Sequence, residues 1–160
     1  TDSLGVTSFV RDFVYSNASQ VQMFLPAIVF LIGCFLAFAT GTSWGTFGML
    51  IPIVQSVFPM DNPLSVVCIS ACMAGAVCGD HCSPISDTTI MASAGAQCDH
   101  VQHVSTQLPY AITVAAVSFV SYLIAGFIPN AFIALPIAFV LMFLTLLAIR
   151  MKQTRRTVAG

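Results

Sequence analysis

The sequence predicts an all-α, multi-pass transmembrane protein in which two elements, a re-entrant hairpin and a discontinuous helix, are interrupted by polar residues. Three observations predict it. The 160 residues are 58% hydrophobic and 7% charged, with a mean hydropathy of +0.93, where soluble domains carry about 25% charged residues. Residues 13–60 and 104–149 contain no Asp, Glu, Lys, Arg or His, and about 20 apolar residues suffice to cross a bilayer. Polar clusters then break the apolar runs at 40–46 and 79–89.

The net charge of −1 says little, but its distribution is informative. No Lys or Arg lies between Arg11 and Arg150, and Arg150, Lys152, Arg155 and Arg156 cluster at the end. Residues 150–160 therefore form a basic tail, which the positive-inside rule puts in the cytoplasm. Directly after a span, such a cluster is not a nucleic-acid site. All six acids are Asp. Asp2, Asp12 and Asp61 fall near predicted membrane edges; Asp80, Asp87 and Asp99 fall in or just after the central polar stretch. Of the six cysteines, Cys34, Cys68, Cys72 and Cys78 sit in apolar runs, where Cys packs as a small hydrophobe. The first residues do not resemble a natural beginning, so the expectation is the carboxy-terminal part of a longer membrane protein.

The elements follow in order within one membrane domain. Residues 1–22 read as an interfacial segment: Leu4, Phe9, Val10, Phe13 and Val14 can share a face opposite Arg11 and Asp12. Residues 23–58 read as the re-entrant hairpin. Met23 to Ala39 is apolar enough to span, but Phe47 to Phe58, interrupted by Pro52, is short for a crossing. Gly41 to Thr46 is then the hairpin tip, at a depth where irregular backbone survives only inside protein or beside water. The plainer alternative is a polar loop between two spans, with Trp44 at the interface.

Residues 64–96 read as the broken transmembrane helix. Pro84 removes a backbone donor and pushes Ser83 from helical angles, so the first half, from Leu64, stops near Gly79. Ser86 or Asp87 caps the second half, 86–96. Residues 97–109 read as a cytoplasmic loop. Residues 111–128 and 132–149 are two further spans, joined at Pro129-Asn130.

Chemistry concentrates in Gly79-Asp-His-Cys-Ser-Pro-Ile-Ser-Asp-Thr-Thr89. A carboxylate inside a membrane is costly and marks function, and no basic residue of the spans is available to pair with Asp80 or Asp87. Both are candidate ion-exchanging carboxylates. Ser83, Ser86 and Thr88, with Thr42, Ser43 and Thr46 from the hairpin tip, are candidate oxygen donors for a small hard cation. His81 is a candidate proton relay. The plain alternatives are a helix cap for Asp87 and a turn for Asp80. Cys78, His81, Cys82, Cys98, His100 and His103 have zinc-ligand chemistry, but His81 and Cys82 are adjacent and the spacing forms no clean pairs. No bound metal and no cofactor are expected. Ser83 as a protease nucleophile lacks an evident base. Two broken elements in succession point to a transporter, not an enzyme.

Three segments carry a family resemblance: Ala39-Thr-Gly-Thr-Ser-Trp-Gly-Thr46, the 79–89 motif, and Cys98-Asp-His100 with His103 and Thr106-Gln-Leu-Pro-Tyr110. In order and spacing they resemble the NhaC-type Na⁺/H⁺ antiporter family of the ion transporter superfamily. The resemblance runs from about Leu4 to the last spans. It implies secondary transport in a prokaryotic plasma membrane, with Na⁺ exchanged for H⁺ at a mid-membrane carboxylate or, in some relatives, one organic acid exchanged for another of the malate and lactate type. It implies inverted repeats with hairpins and broken helices, this chain being the carboxy-terminal half. The expected partners are the lipid bilayer, Na⁺, H⁺ and the amino-terminal half of the same transporter; a homo-oligomer is compatible with the reading. The contrasting expectation is a non-transporting membrane protein with a structural zinc site.

Overall fold

The computed structural model describes residues 19–59 and 61–158. Six helices follow one another: α1 (Ser19–Thr40), α2 (Ser43–Val57), α3 (Pro63–Cys82), α4 (Asp87–Gly95), α5 (His100–Phe127) and α6 (Ala131–Val158). Among the described residues there is no strand, and four of the helices are long and apolar enough to cross a membrane: α1 from Gln22, α3, α5, and α6 as far as Lys152. Over the described residues the chain is all-helical and multi-pass, as its composition requires. Residues 1–18, most of the segment read as interfacial, lie outside the described residues.

Side-chain oxygens at the starts explain where the helices begin. Thr42, Asn62, Ser86 and Asp99 each accept a backbone N–H from the first turn of α2, α3, α4 and α5, and Asn130 does so for α6. Such caps satisfy donors that the helix itself leaves unpaired. The four prolines inside helices, Pro26, Pro52, Pro109 and Pro136, end none of them.

The centre of the fold is a close, parallel contact between α1 and α3. Between helices in a bilayer, association rests on packing, which small residues permit. A Cβ at Gly75 would strike the Phe30 carbonyl oxygen, and one at Gly79 the Cys34 carbonyl oxygen. Gly33 nestles in return against Cys72 O and Ala76 N, each 3.1 Å from where its Cβ would stand. Cys68, Ala71, Cys72 and Ala76 are fully buried along the same helix, so these thiols serve packing. The pairs Phe30 with Gly75, Cys34 with Gly79 and Phe38 with Ser83 keep one register, four residues apart along α1 and along α3 and its cap.

Two other contacts complete the frame. α2 runs back along the start of α3, where Val54, Val57, Phe58 and Cys68 form an apolar cluster with Leu25, Val29, Leu64 and Ile69. α5 runs antiparallel to both α1 and α3: Gly126 meets Met23, Phe24 stacks edge-on against Phe127 at 5.6 Å, and Tyr122 bonds Ser70 at 3.0 Å. α6 packs on α5, and none of its span is buried by the described chain.

Three boundaries differ from the sequence expectation. The first half of the broken helix continues to Cys82, nearly a full turn beyond Gly79, and is by itself long enough to cross. Within 23–58, the first arm of the expected hairpin is a 22-residue helix long enough to cross, whereas α2 has 15 residues and is not among the candidate spans. Residues 97–109, expected as a loop, are helical from His100. There Ser105 and Thr106 return their hydroxyls to Val101 and Gln102 carbonyls at 2.7 and 2.9 Å, so polar side chains are satisfied by the helix itself.

Candidate functional site

Because α1 and α3 are parallel and in register, their ends lie at one level, and the two polar interruptions meet. Gly41 follows α1 with φ +68°, the left-handed conformation that closes helices, and donates its N–H to Ala37 O at 2.8 Å. A Cβ there would lie 2.9 Å from the Ile85 carbonyl oxygen. The α1–α2 break is thus seated directly on the α3–α4 break. Ser83 fastens the two together: its hydroxyl is fully buried and donates to Phe38 O at 2.8 Å, one of the carbonyls that the end of α1 leaves free.

Asp80 lies just inside this junction, in the last turn of α3. It is 5% exposed. Its Oδ1 accepts the Ser86 hydroxyl at 2.6 Å, the short distance of a charge-assisted bond. Ser86 is itself buried, lies 2.7 Å from the Thr88 hydroxyl and accepts the Thr88 N–H at 3.2 Å. One serine therefore caps α4 and reaches back across the break to the carboxylate of α3. On the other side, Thr46 is fully buried; its hydroxyl donates to Thr42 O at 2.8 Å and lies 3.5 Å from the Thr40 hydroxyl. Every buried side-chain nitrogen and oxygen of the described residues has a partner.

The sequence candidates divide into four groups. Asp80, Ser83 and Ser86 converge in the interior. Asp87 and Thr88 are in the same segment but exposed, Asp87 in the first turn of α4, where a carboxylate complements the helix dipole. Thr42 is exposed and caps α2, and Ser43 is half-buried at its start. His81 is exposed; its Nδ1 lies 2.9 Å from Val77 O, a bond within its own helix. All six cysteines are free thiols. Among the described residues, no three His, Cys, Asp or Glu side chains are placed together as metal ligands.

Sequence reasoning missed the contribution of α5. Gln107 Nε2 donates to His81 O at 3.1 Å, and His100 Nε2 lies 2.7 Å from Pro84 O. Both carbonyls are left without helical partners by the break. The signal was present as Asp99-x-x-Gln102, a capping pattern whose Gln102 N–H reaches Asp99 Oδ1 at 2.9 Å. Of the three hairpin-tip candidates, Thr46, one turn after Thr42, is the buried one.

The arrangement gives a buried carboxylate, hydroxyls and carbonyls released from helical pairing at the junction of two interrupted helices, with no Lys or Arg among them. Comparison with known proteins decides the family. The family model described as the Na⁺/H⁺ antiporter family matches residues 1–127. The chain belongs to the Na⁺/H⁺ antiporter family. Among curated relatives, a malate-2H⁺/Na⁺-lactate antiporter of Bacillus subtilis is 31% identical over 74% of this chain and 25% of its own length. An uncharacterized Na⁺/H⁺ antiporter of Haemophilus influenzae is 35% identical over 71% of this chain and 23% of its own. An arginine/ornithine antiporter of Halobacterium salinarum is 30% identical over 66% and 23%. The chain spans about a quarter of the length of these family members, a smaller share than the half expected. No solved structure matches it. The substrates these antiporters are named for differ, so membership fixes a transporter family and not a cargo.

Proposed function

We propose that the chain is part of a Na⁺/H⁺ antiporter in which Asp80 is the carboxylate that Na⁺ and H⁺ occupy in turn. The observation that carries this reading is the burial of Asp80 at the junction of two helix breaks, next to the Ser86 hydroxyl. With no Lys or Arg between Arg11 and Arg150, the carboxylate has no cation of the chain to neutralise it there. A proton or a small hard cation does so instead, and one site with two competing occupants couples two fluxes. Hydroxyl and carbonyl oxygens of the kind gathered here suit Na⁺ as substrate.

Ser86 and Thr88 rank next as oxygen donors, Ser43 behind them, and Ser83 and Thr42 hold the junction in shape. Asp87 is placed second among carboxylates because it faces out of the described chain. His81, bonded within its own helix, is given no part in the exchange. In this reading the parent protein lies in a prokaryotic plasma membrane, surrounded by lipid, with the basic tail in the cytoplasm, and the rest of the antiporter completes the site.

The test uses the full-length parent in inverted vesicles from a host lacking its own antiporters. Dissipation of a preset ΔpH on adding Na⁺ or Li⁺ supports the reading. Silence toward Na⁺, Li⁺ and K⁺, with exchange of labelled malate for lactate in the same vesicles, replaces it with organic-acid exchange.

A further inference from the structure

The pair His100 and Ser93 joins α4, α5 and the α3–α4 break, and the contact between its two members has no part in the site described above. Ser93 is 3% exposed in α4, and His100 is the first residue of α5. His100 Nε2 lies 2.7 Å from Pro84 O, and its Nδ1 lies 3.0 Å from Ser93 Oγ. Ser93 Oγ also donates to Ile90 O at 2.9 Å.

Counting hydrogens gives these contacts a direction. Pro84 O and Ile90 O can only accept. Nε2 must therefore carry a hydrogen, and so must Ser93 Oγ if it reaches Ile90. The third contact, between Nδ1 and Ser93 Oγ, then needs a hydrogen on Nδ1. Three contacts require three hydrogens; a neutral imidazole and one hydroxyl supply two. The imidazolium completes the set. In the neutral ring, Ser93 turns its hydroxyl to Nδ1 and the bond to Ile90 O is lost.

We propose that His100 is a proton-sensitive positioning residue: charging its ring completes the three-bond strut that holds α4 and the Pro84 carbonyl against α5, and neutralising it loosens that strut. An imidazole is the side chain that changes charge in the physiological range. The sign follows: the strut is complete at low pH and loses one bond as pH rises. The neighbouring titratable groups are Asp80, His81 and Cys82 at the end of α3, Asp87 in the first turn of α4, and Cys98, Asp99 and His103 beside His100 itself. On α6 the charged side chains described are Arg150 and Lys152. None of these is hydrogen-bonded to the ring. Since Pro84 lies two residues before Ser86, the strut also sets how Ser86 meets Asp80; that consequence rests on the exchange reading, and the strut itself does not.

Hydrogen exchange read by mass spectrometry on the purified full-length parent tests the strut without transport. After correction for intrinsic rates, protection of peptides covering 86–96 should be roughly two- to tenfold higher near about pH 5.5 than near about pH 8, the size of one net hydrogen bond. His100→Gln should abolish that difference. An equal pH dependence in both proteins, or none in the wild type, overturns the proposal. In vesicles, His100→Gln should shift the pH profile of exchange while membrane insertion is unchanged. If no cation drives exchange but the protection result holds, the exchange reading fails and the strut stands. If exchange is driven by Na⁺ and the protection result fails, the reverse is true.

Discussion

Ser86 Oγ stands 2.6 Å from Asp80 Oδ1, across a break that separates the two residues by Pro84 and a change of helix. The bond makes the start of α4 and the end of α3 a single unit. It also gives the buried carboxylate a hydroxyl partner in a stretch of chain without Lys or Arg.

Removing that partner is the most local test of the site. With the Ser86 oxygen as a donor to Na⁺, Ser86→Ala should raise the half-saturating Na⁺ concentration roughly tenfold, about 1.4 kcal/mol. The loss of the α4 cap adds about 1 kcal/mol of destabilisation. Ser86→Thr keeps the hydroxyl and should lie near wild type. Initial rates in inverted vesicles over a Na⁺ series separate the variants, and equal half-saturation in all three proteins removes Ser86 from the site.

The glycines on α3 make a stability prediction. Gly75→Val and Gly79→Val each drive a side chain into a backbone carbonyl of α1. Overpacking costs about 1–3 kcal/mol, and here the contact is backbone and cannot give way by rotamer change. Thermal unfolding in detergent should show lowered Tm for both. A Cβ added at Gly48 would meet nothing within 4 Å, so Gly48→Ala should match or exceed wild type, since Ala stabilises a helix interior by about 0.5–1 kcal/mol.

Gly41 links the two breaks. Its left-handed backbone costs a residue with Cβ about 1–2 kcal/mol, and the Cβ itself would press on Ile85 O. Gly41→Ala should therefore depress exchange by more than its stability loss accounts for, because it wedges the junction apart. Comparing its exchange rate with that of Gly75→Val at matched insertion checks this; a rate that merely follows stability would show that the junction is not functional.

The basic tail gives a topological prediction. A fluorescent protein fused after Gly160 of a parent truncated there should fluoresce, and a secreted phosphatase fused at the same point should stay inactive, because both report a cytoplasmic end. The opposite pattern reverses the assignment of sides.

Much of this was legible in the sequence, because a chain with no charge over 13–60 and 104–149 has few options other than spans. The break at Pro84 was legible too, since proline and the cap Ser86 act locally. What was not legible depends on pairing between segments distant in the chain. Nothing local tells Ser83 to reach Phe38, or Gly75 to face Phe30; those follow from the register of α1 on α3. The helix over residues 100–109 was hidden by their polarity, which suggests a loop in water although hydroxyls such as Thr106 bond back to their own helix. Asp80 and Asp87 look alike in sequence because burial is not a local property: the packing of α3 buries the first, while the start of α4 leaves the second exposed.

The most direct measurement is Na⁺-driven ΔpH dissipation in inverted vesicles holding equal amounts of full-length wild type, Asp80→Asn and Asp87→Asn. Loss of exchange by at least about tenfold in Asp80→Asn, with Asp87→Asn retaining most of it, is the predicted result; a tenfold loss corresponds to about 1.4 kcal/mol of coupling at the carboxylate. Full exchange by Asp80→Asn would contradict the account.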